Sequence, residues 1–361
     1  MIPLLKPVFD KEMEEAAVHS LNNERFVLGE SVFKFEEEFA KYCGTDYSVS
    51  TSSGTDALQF TMIASDFKGK EVISCPASFI ATSNSIINSD ANIVFADADY
   101  ESNNIEPSLI EEKITEKTKA VIPIHLYGNP AEMDRINEIA EKKNLAVIED
   151  ACQAHGATYK GKKAGNLGTA GCFSFYSTKN ITVGGDGGMI TTNDGKLADR
   201  ISKMRNCGRI SQYEHDEFGY TSRLNSANAA IGMVQLKRLD GWNEKRNAAA
   251  KKYMEGLKDI KEISLPKIPE YNKSAFHLFA CKTDKRDELF AHLKEKEIQA
   301  GTHYPIPIHL QPLYVKLFGY KKGDYPVSEK ISEKVICLPM FSDIKDEELK
   351  YVIETVRRFF D

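Results

Sequence analysis

Between residues 31 and 42 the apolar positions Val32, Phe35, Phe39 and Tyr42 recur at intervals of three and four. This spacing predicts a surface helix with one buried stripe, and Ser31 stands where an N-cap is expected. Short, mostly apolar runs follow at 47–50, 71–75, 92–96, 120–126 and 145–150, and segments of helical period lie between them, as at 56–65 and 133–142. Strand and helix therefore alternate through the first half, and a mostly parallel α/β sheet buries such a pattern. Further strands are expected at 172–175 and 189–192, followed by a long helix over 226–257 that links two domains. The remainder, with strand-like runs at 276–282 and 335–339 and helices near 286–296 and 345–359, reads as a smaller α+β unit. The expected division is a large domain over 1–245 and a small C-terminal domain over 246–361. A length of 361 residues suits two domains.

Composition narrows the function. With 42% hydrophobic and 28% charged residues the chain is an ordinary folded protein, and a net charge of -6 leaves no basic stripe to follow a nucleic acid. No apolar run is long enough for a membrane helix and the N-terminus lacks a signal-peptide pattern, so a cytoplasmic location is the default. The seven cysteines are scattered, never spaced C-x-x-C, and fit reduced thiols better than disulfides or zinc.

Three elements carry chemistry. S-S-G-T-D-A-L at 52–58 follows a strand and opens a helix, so its free amides and the positive helix end suit a phosphate. A tight turn with a helix cap explains Gly54 and Thr55 equally well. V-I-E-D ends an apolar strand with Asp150, at the edge where open α/β sheets bind ligands. A carboxylate there suits a pyridine-type cofactor, whose ring nitrogen it keeps protonated, although a capping or salt-bridged aspartate has the same pattern. F-S-F-Y-S-T-K-N at 173–180 precedes the glycine-dense G-G-D-G-G at 184–188. An isolated lysine is ordinarily a solvated charge. Lys179, however, closely follows a strand and Ser174 and precedes a loop that permits close backbone approach, and a lysine desolvated there condenses with an aldehyde. G-N-L-G-T-A-G at 165–171 has the wrong spacing for a dinucleotide loop and reads as turns.

The order of F-V-L-G with F-E-E-E-F-A, S-G-T-D-A-L, P-A-S-F-I-A-T, H-L-Y-G, V-I-E-D-A-C-Q-A-H-G-A, F-S-F-Y-S-T-K-N, G-D-G-G, S-R-L and H-Y-P-I-P-I-H-L-Q-P resembles the nucleotide-sugar aminotransferases of the DegT/DnrJ/StrS type over nearly the whole chain. The resemblance implies the aspartate-aminotransferase-like fold, fold type I of the pyridoxal-phosphate enzymes, and a homodimer with shared active sites. It implies pyridoxal 5'-phosphate as cofactor, passing through pyridoxamine phosphate. Position by position, Lys179 matches the Schiff-base lysine and Asp150 the partner of the pyridine nitrogen, the two catalytic residues. Gly54, Thr55 and Ser174 match the phosphate cup, Phe79 the aromatic residue over the ring, and Gln153 the polar position near the ring hydroxyl. Arg223 matches a residue that reaches the neighbouring subunit's site. Thr221 stands where the family commonly has asparagine and lacks the two amide donors. His303, Tyr304, His309 and Gln311 match a stretch near the sugar nucleotide. The two histidines lack a third ligand at metal-like spacing, so no metal is expected.

The implied reaction moves an amino group from L-glutamate to a nucleotide-linked keto-sugar, and the H-Y-P-I-P form looks more like members acting on 3-keto than on 4-keto sugars. The product is an amino-sugar for polysaccharide, glycan or secondary-metabolite synthesis. A sugar dehydratase of the same fold replaces the lysine with histidine, and a non-catalytic regulator is expected to lose Lys179 or Asp150. Both residues are present.

Overall fold

Short strands rich in Val, Ile and Ala alternate with helices to build a central sheet covered on both faces. In a computed structural model describing residues 1–361, α1 (Lys11–Asn23) and α2 (Glu30–Cys43) precede β1 (Tyr47–Thr51), α3 (Gly54–Ala64), β2 (Glu71–Ser74) and α4 (Ile80–Asn88). Then come β3 (Asn92–Phe95), α5 (Pro107–Lys113), β4 (Thr118–Ile122), α6 (Met133–Lys143) and β5 (Ala146–Asp150). Two short strands, β6 (Thr158–Tyr159) and β7 (Lys162–Lys163), lead to β8 (Ala170–Ser174), β9 (Gly188–Thr192), α7 (Gly195–Met204) and the long α8 (Ser226–Leu257). The C-terminal part adds β10 (Asn272–Lys273), β11 (Phe279–Lys282), α9 (Arg286–Glu295), α10 (Pro312–Phe318), α11 (Pro326–Lys334), β12 (Val335–Leu338) and α12 (Asp346–Phe360).

The seven-stranded sheet has the order β1-β9-β8-β5-β4-β2-β3, and β9 alone runs against its neighbours. Six carboxyl ends therefore open on one edge, and the chain leaves them at Thr51, Ser74, Phe95, Ile122, Asp150 and Ser174. One core cluster joins Val32, Phe35 and Phe39 of α2, Ile136 of α6 and Leu236 and Leu239 of α8. A second joins Leu58 and Phe60 of α3, Ile86 of α4 and Ile201 of α7. The late segment Ile308 and Tyr314 also packs in this second cluster. A third, around Tyr253, Leu257, Phe279, Leu293, Leu338 and Val352, is the core of the C-terminal unit. Helix α8 contributes to the first cluster with its N-terminal half and to the third with its C-terminal half, and the expected boundary at 245/246 falls within it.

Three sequence expectations shift. The N-cap of α2 is Gly29, while Ser31 is inside the helix, where its amide and hydroxyl both donate to the Glu24 carboxylate, at 2.8 and 2.6 Å. The strand expected over 120–126 ends at Ile122, because Pro123 has no amide for the ladder and Tyr127 takes a left-handed conformation as the chain turns. The strand expected over 276–282 starts at Phe279, since Phe276 has positive φ. The end of β1 is clamped. Ser50 donates its amide and hydroxyl to the buried Glu36 carboxylate, which pairs with Arg205, and Arg205 also donates to the Ser50 carbonyl.

Candidate active site

The first component is the turn from β1 into α3. Ser53 caps the helix by accepting the Asp56 amide at 3.1 Å, and the Asp56 carboxylate accepts the Ser222 hydroxyl at 2.6 Å. This holds the T-S-R-L segment against the turn. The amides of Gly54 and Thr55 have no partner in the protein, as expected for the first residues of a helix. A Cβ on Gly54 would lie 2.6 Å from Ser174 Cβ and 3.0 Å from Cys152 Sγ, so only glycine lets β8 approach. The positive end of α3, two free amides and the Ser174 side chain thus meet at one point, the donor set a phosphate dianion requires.

Asp150 closes β5 beside this turn and is 6% exposed. Its carboxylate accepts the Thr82 hydroxyl at 2.6 Å and the Cys152 amide at 3.2 Å. The preceding acid points to the opposite face, as strand alternation requires. Glu149 is wholly internal, taking amides from Gly165, Leu167 and Gly168 at 2.7, 2.7 and 2.9 Å. It also takes the Nε2 proton of His125, whose Nδ1 accepts the Ala131 amide. Residues 165–169 of the glycine-rich stretch are therefore turns wrapped around one carboxylate, while Ala170 and Gly171, read as turn from the sequence, open β8 and pair with β5.

Beyond β8 the chain is pinned around Lys179. Its amide donates to the Tyr176 carbonyl at 2.9 Å, and Asn180 donates to Asn243 at 2.9 Å and to the Ala275 carbonyl at 2.8 Å. The Lys179 ammonium makes no hydrogen bond or ion pair. Burial holds its pKa below the usual lysine range, opposed by the nearby Cys152 and Asp150. His155 lies between Phe173 and Phe175, with both ring nitrogens buried and unpartnered. Burial, with the Lys179 charge second, lowers its pKa to about 3. A histidine kept neutral in the fold but free to charge when unfolded costs stability as pH falls from about 6.5 towards 3. In urea unfolding, His155→Phe is expected to reduce the stability lost between pH 7 and pH 5 by about 2 kcal/mol. An unchanged loss would show that His155 is not the group responsible.

Phe79, half exposed, precedes α4 on the same edge, and its ring lies 5.5 Å from that of Tyr304. Gln153 is buried between the Tyr127 amide and the Tyr304 hydroxyl. His303 is half-buried, its Nδ1 unpartnered and its pKa lowered by burial and then by the Lys179 charge. Gly54, Thr55, Ser174, Lys179, Asp150, Gln153, Phe79, His303 and Tyr304 therefore form one site. His309 departs from the expectation of a sugar contact. It is 0% exposed, its Nε2 paired with Glu329 at 3.0 Å and its ring enclosed by Tyr320 and Tyr325, so both ring nitrogens lie inside the fold. Gln311 turns back to the Ile306 carbonyl, and Arg223 donates to Asn206 at 2.9 Å. Thr221 is exposed, 3.5 Å from Cys207 Sγ. Thr82 and Tyr127 were not singled out from the sequence, though both stand in the motifs P-A-S-F-I-A-T and H-L-Y-G. No group of three or more His, Cys, Asp or Glu residues is placed to hold a metal ion, and no helix is long and apolar enough to cross a membrane.

The profile of the DegT/DnrJ/EryC1/StrS aminotransferase family matches residues 7–357. The chain is 41% identical to a pleiotropic regulatory protein of Geobacillus stearothermophilus, over 99% of this chain and 95% of the relative. It is 37% identical to dTDP-3-amino-3,4,6-trideoxy-alpha-D-glucose transaminase of Streptomyces venezuelae, over 96% and 92%. A crystal structure of DesV from S. venezuelae superposes with a TM-score of 0.95 at 37% identity, covering 97% of this chain and 94% of that one.

Proposed function

Since the chain belongs to the DegT/DnrJ/EryC1/StrS aminotransferase family, we propose that it transfers an amino group from L-glutamate to the C3 ketone of a nucleotide-linked sugar. The class is a pyridoxal-phosphate-dependent sugar aminotransferase. The observation that carries the chemistry is the placement of one lysine without a hydrogen-bond or ion-pair partner, Lys179, its pKa lowered by burial, beside the buried carboxylate Asp150, at the edge where α3 offers free amides.

The residues present fit the cofactor. Gly54, Thr55 and Ser174 would hold its phosphate, Asp150 its ring nitrogen, Phe79 one ring face and Lys179 its aldehyde. Bound pyridoxal phosphate supplies an aldehyde for amines and a protonated ring that accepts negative charge. Lys179 Nζ, once released from the aldehyde, would take the proton from the donor's α-carbon, and burial lowers the cost of keeping it as the free amine. Asp150 keeps a proton on the ring nitrogen. Thr82 and the Cys152 amide hold that carboxylate in place.

The sugar reading is supported by the relative named for a 3-amino-sugar and by the His303–Tyr304 pair over the site. A homodimer is supported by the 209–220 loop, which exposes Ile210, Tyr213 and Phe218, the last at 98%. In that assembly Arg223 reaches the neighbouring site, Thr221 lacks the two amide donors of the commoner asparagine there, and the enzyme works in the cytoplasm. Lys179 and Asp150 oppose both the dehydratase and the purely regulatory readings, despite the name of one relative.

The test is glutamate-dependent amination of 3-keto and 4-keto nucleotide sugars, with NMR locating the new amine. Amination at C3 is the expected result. Exclusive amination at C4, or activity confined to simple keto-acids, would overturn the assignment.

A further inference from the structure

Gln153 is held more firmly than a ring contact alone requires. The Tyr127 amide can only donate, and it meets Gln153 Oε1 at 2.7 Å. This contact fixes which end of the side-chain amide is which, so the NH2 group faces Tyr304, donating to its hydroxyl oxygen at 3.2 Å. One of the two Nε2 hydrogens is thereby used. The other has no partner in the protein, and Gln153 is buried three residues beyond Asp150, on the same sheet edge.

The acceptor of that bond comes from far along the chain, since Tyr304 lies 151 residues after Gln153. Its ring rests against Phe79, and the carbonyl of its neighbour His303 accepts the Tyr127 hydroxyl. Tyr127 therefore holds both ends of the arrangement, Gln153 through its amide and the 303–304 strap through its side chain.

We propose that Tyr304 is a positioning residue that acts on the cofactor through Gln153, aiming the one free side-chain N–H of Gln153 at the oxygen substituent of the pyridine ring. The proposal rests on the cofactor reading above and adds to it a link from the C-terminal strap to the ring's electronics. A donor to a negatively charged ring oxygen drains charge from it, which weakens the hold of that oxygen on a proton shared with the lysine nitrogen. Loosening the donor strengthens that hold. The pH midpoint of the cofactor's visible absorbance therefore rises when Gln153 is no longer aimed.

The experiment titrates the absorbance of holoenzyme for the wild type, Tyr304→Phe, Gln153→Ala and the double variant. Tyr304→Phe keeps the ring against Phe79 and removes only the acceptor oxygen. Its midpoint is expected to rise by about 0.5 pH unit or more, and the rise should vanish in the Gln153→Ala background, because coupled residues fail to add. An unchanged midpoint in Tyr304→Phe, or the same rise with and without Gln153, overturns the proposal. A wild type that takes up pyridoxal phosphate with no visible band at all overturns the cofactor reading instead, and this inference with it.

Discussion

Lys179→Ala is expected to abolish transamination, by about 10⁴-fold or more, while leaving a folded protein. Two separate functions vanish with one amine. The variant loses the group that condenses with the cofactor aldehyde, and it loses the base that moves the donor's α-proton. The check is a rate measurement together with borohydride treatment of protein loaded with pyridoxal phosphate. The wild type should retain the label on Lys179, as peptide mapping would reveal, and the variant should retain none. Label on another lysine, or a variant with wild-type turnover, would sink the assignment.

Stability provides a second readout with the opposite sign. The Lys179 ammonium has no hydrogen-bond or ion-pair partner, and burial lowers its pKa. The folded chain thus binds that proton less tightly than the unfolded chain, and stability rises with pH towards the ordinary lysine value near 10. At neutral pH the buried charge costs stability, so cofactor-free Lys179→Ala should unfold at the same or higher urea concentration than the wild type. A functional group held at a cost to the fold is what a strained site predicts.

How much of this was visible beforehand depended on the range of the interaction concerned. Asp150 was legible because a strand of otherwise apolar residues ends in an acid, and the observed β5 places it at the ligand edge. Helix α8 was legible end to end, its limits coinciding with the period of the pattern. Ser31 is not the cap because its own amide and hydroxyl both donate to the Glu24 carboxylate, a partner that the spacing of apolar positions does not reveal. The division of labour between Glu149 and Asp150 follows from alternation, but their partners do not. The amides that Glu149 collects come from 16 to 19 residues downstream, in a loop without regular period. His303 and His309 look alike in the chain, and only the packing of Tyr320, Tyr325 and Glu329 shows that the second is internal. Tyr304 and Gln153 are the extreme case, since a contact across 151 residues leaves no local pattern at all.

Asp150→Asn is expected to lower the rate by about 10²- to 10³-fold while barely changing stability. The substitution is nearly isosteric, and both groups that bind the carboxylate can be kept. The Cys152 amide can still donate to the remaining oxygen, and the Thr82 hydroxyl, which rotates freely, can accept from the new amide in place of donating. What is lost is the negative charge. A buried anion raises the pKa of a cationic partner, and its removal lets the ring nitrogen deprotonate, so the ring no longer accepts the charge left by the departing α-proton. The loss should therefore fall on the rate of proton removal and not on cofactor retention, because the phosphate is held separately by the α3 amides and Ser174. Single-turnover measurements with α-deuterated glutamate are the check. A larger isotope effect in Asp150→Asn than in the wild type is expected, since proton transfer becomes the slow step. Equal isotope effects with a weakened affinity for pyridoxal phosphate would instead make Asp150 a binding residue, and would remove it from the proton chemistry.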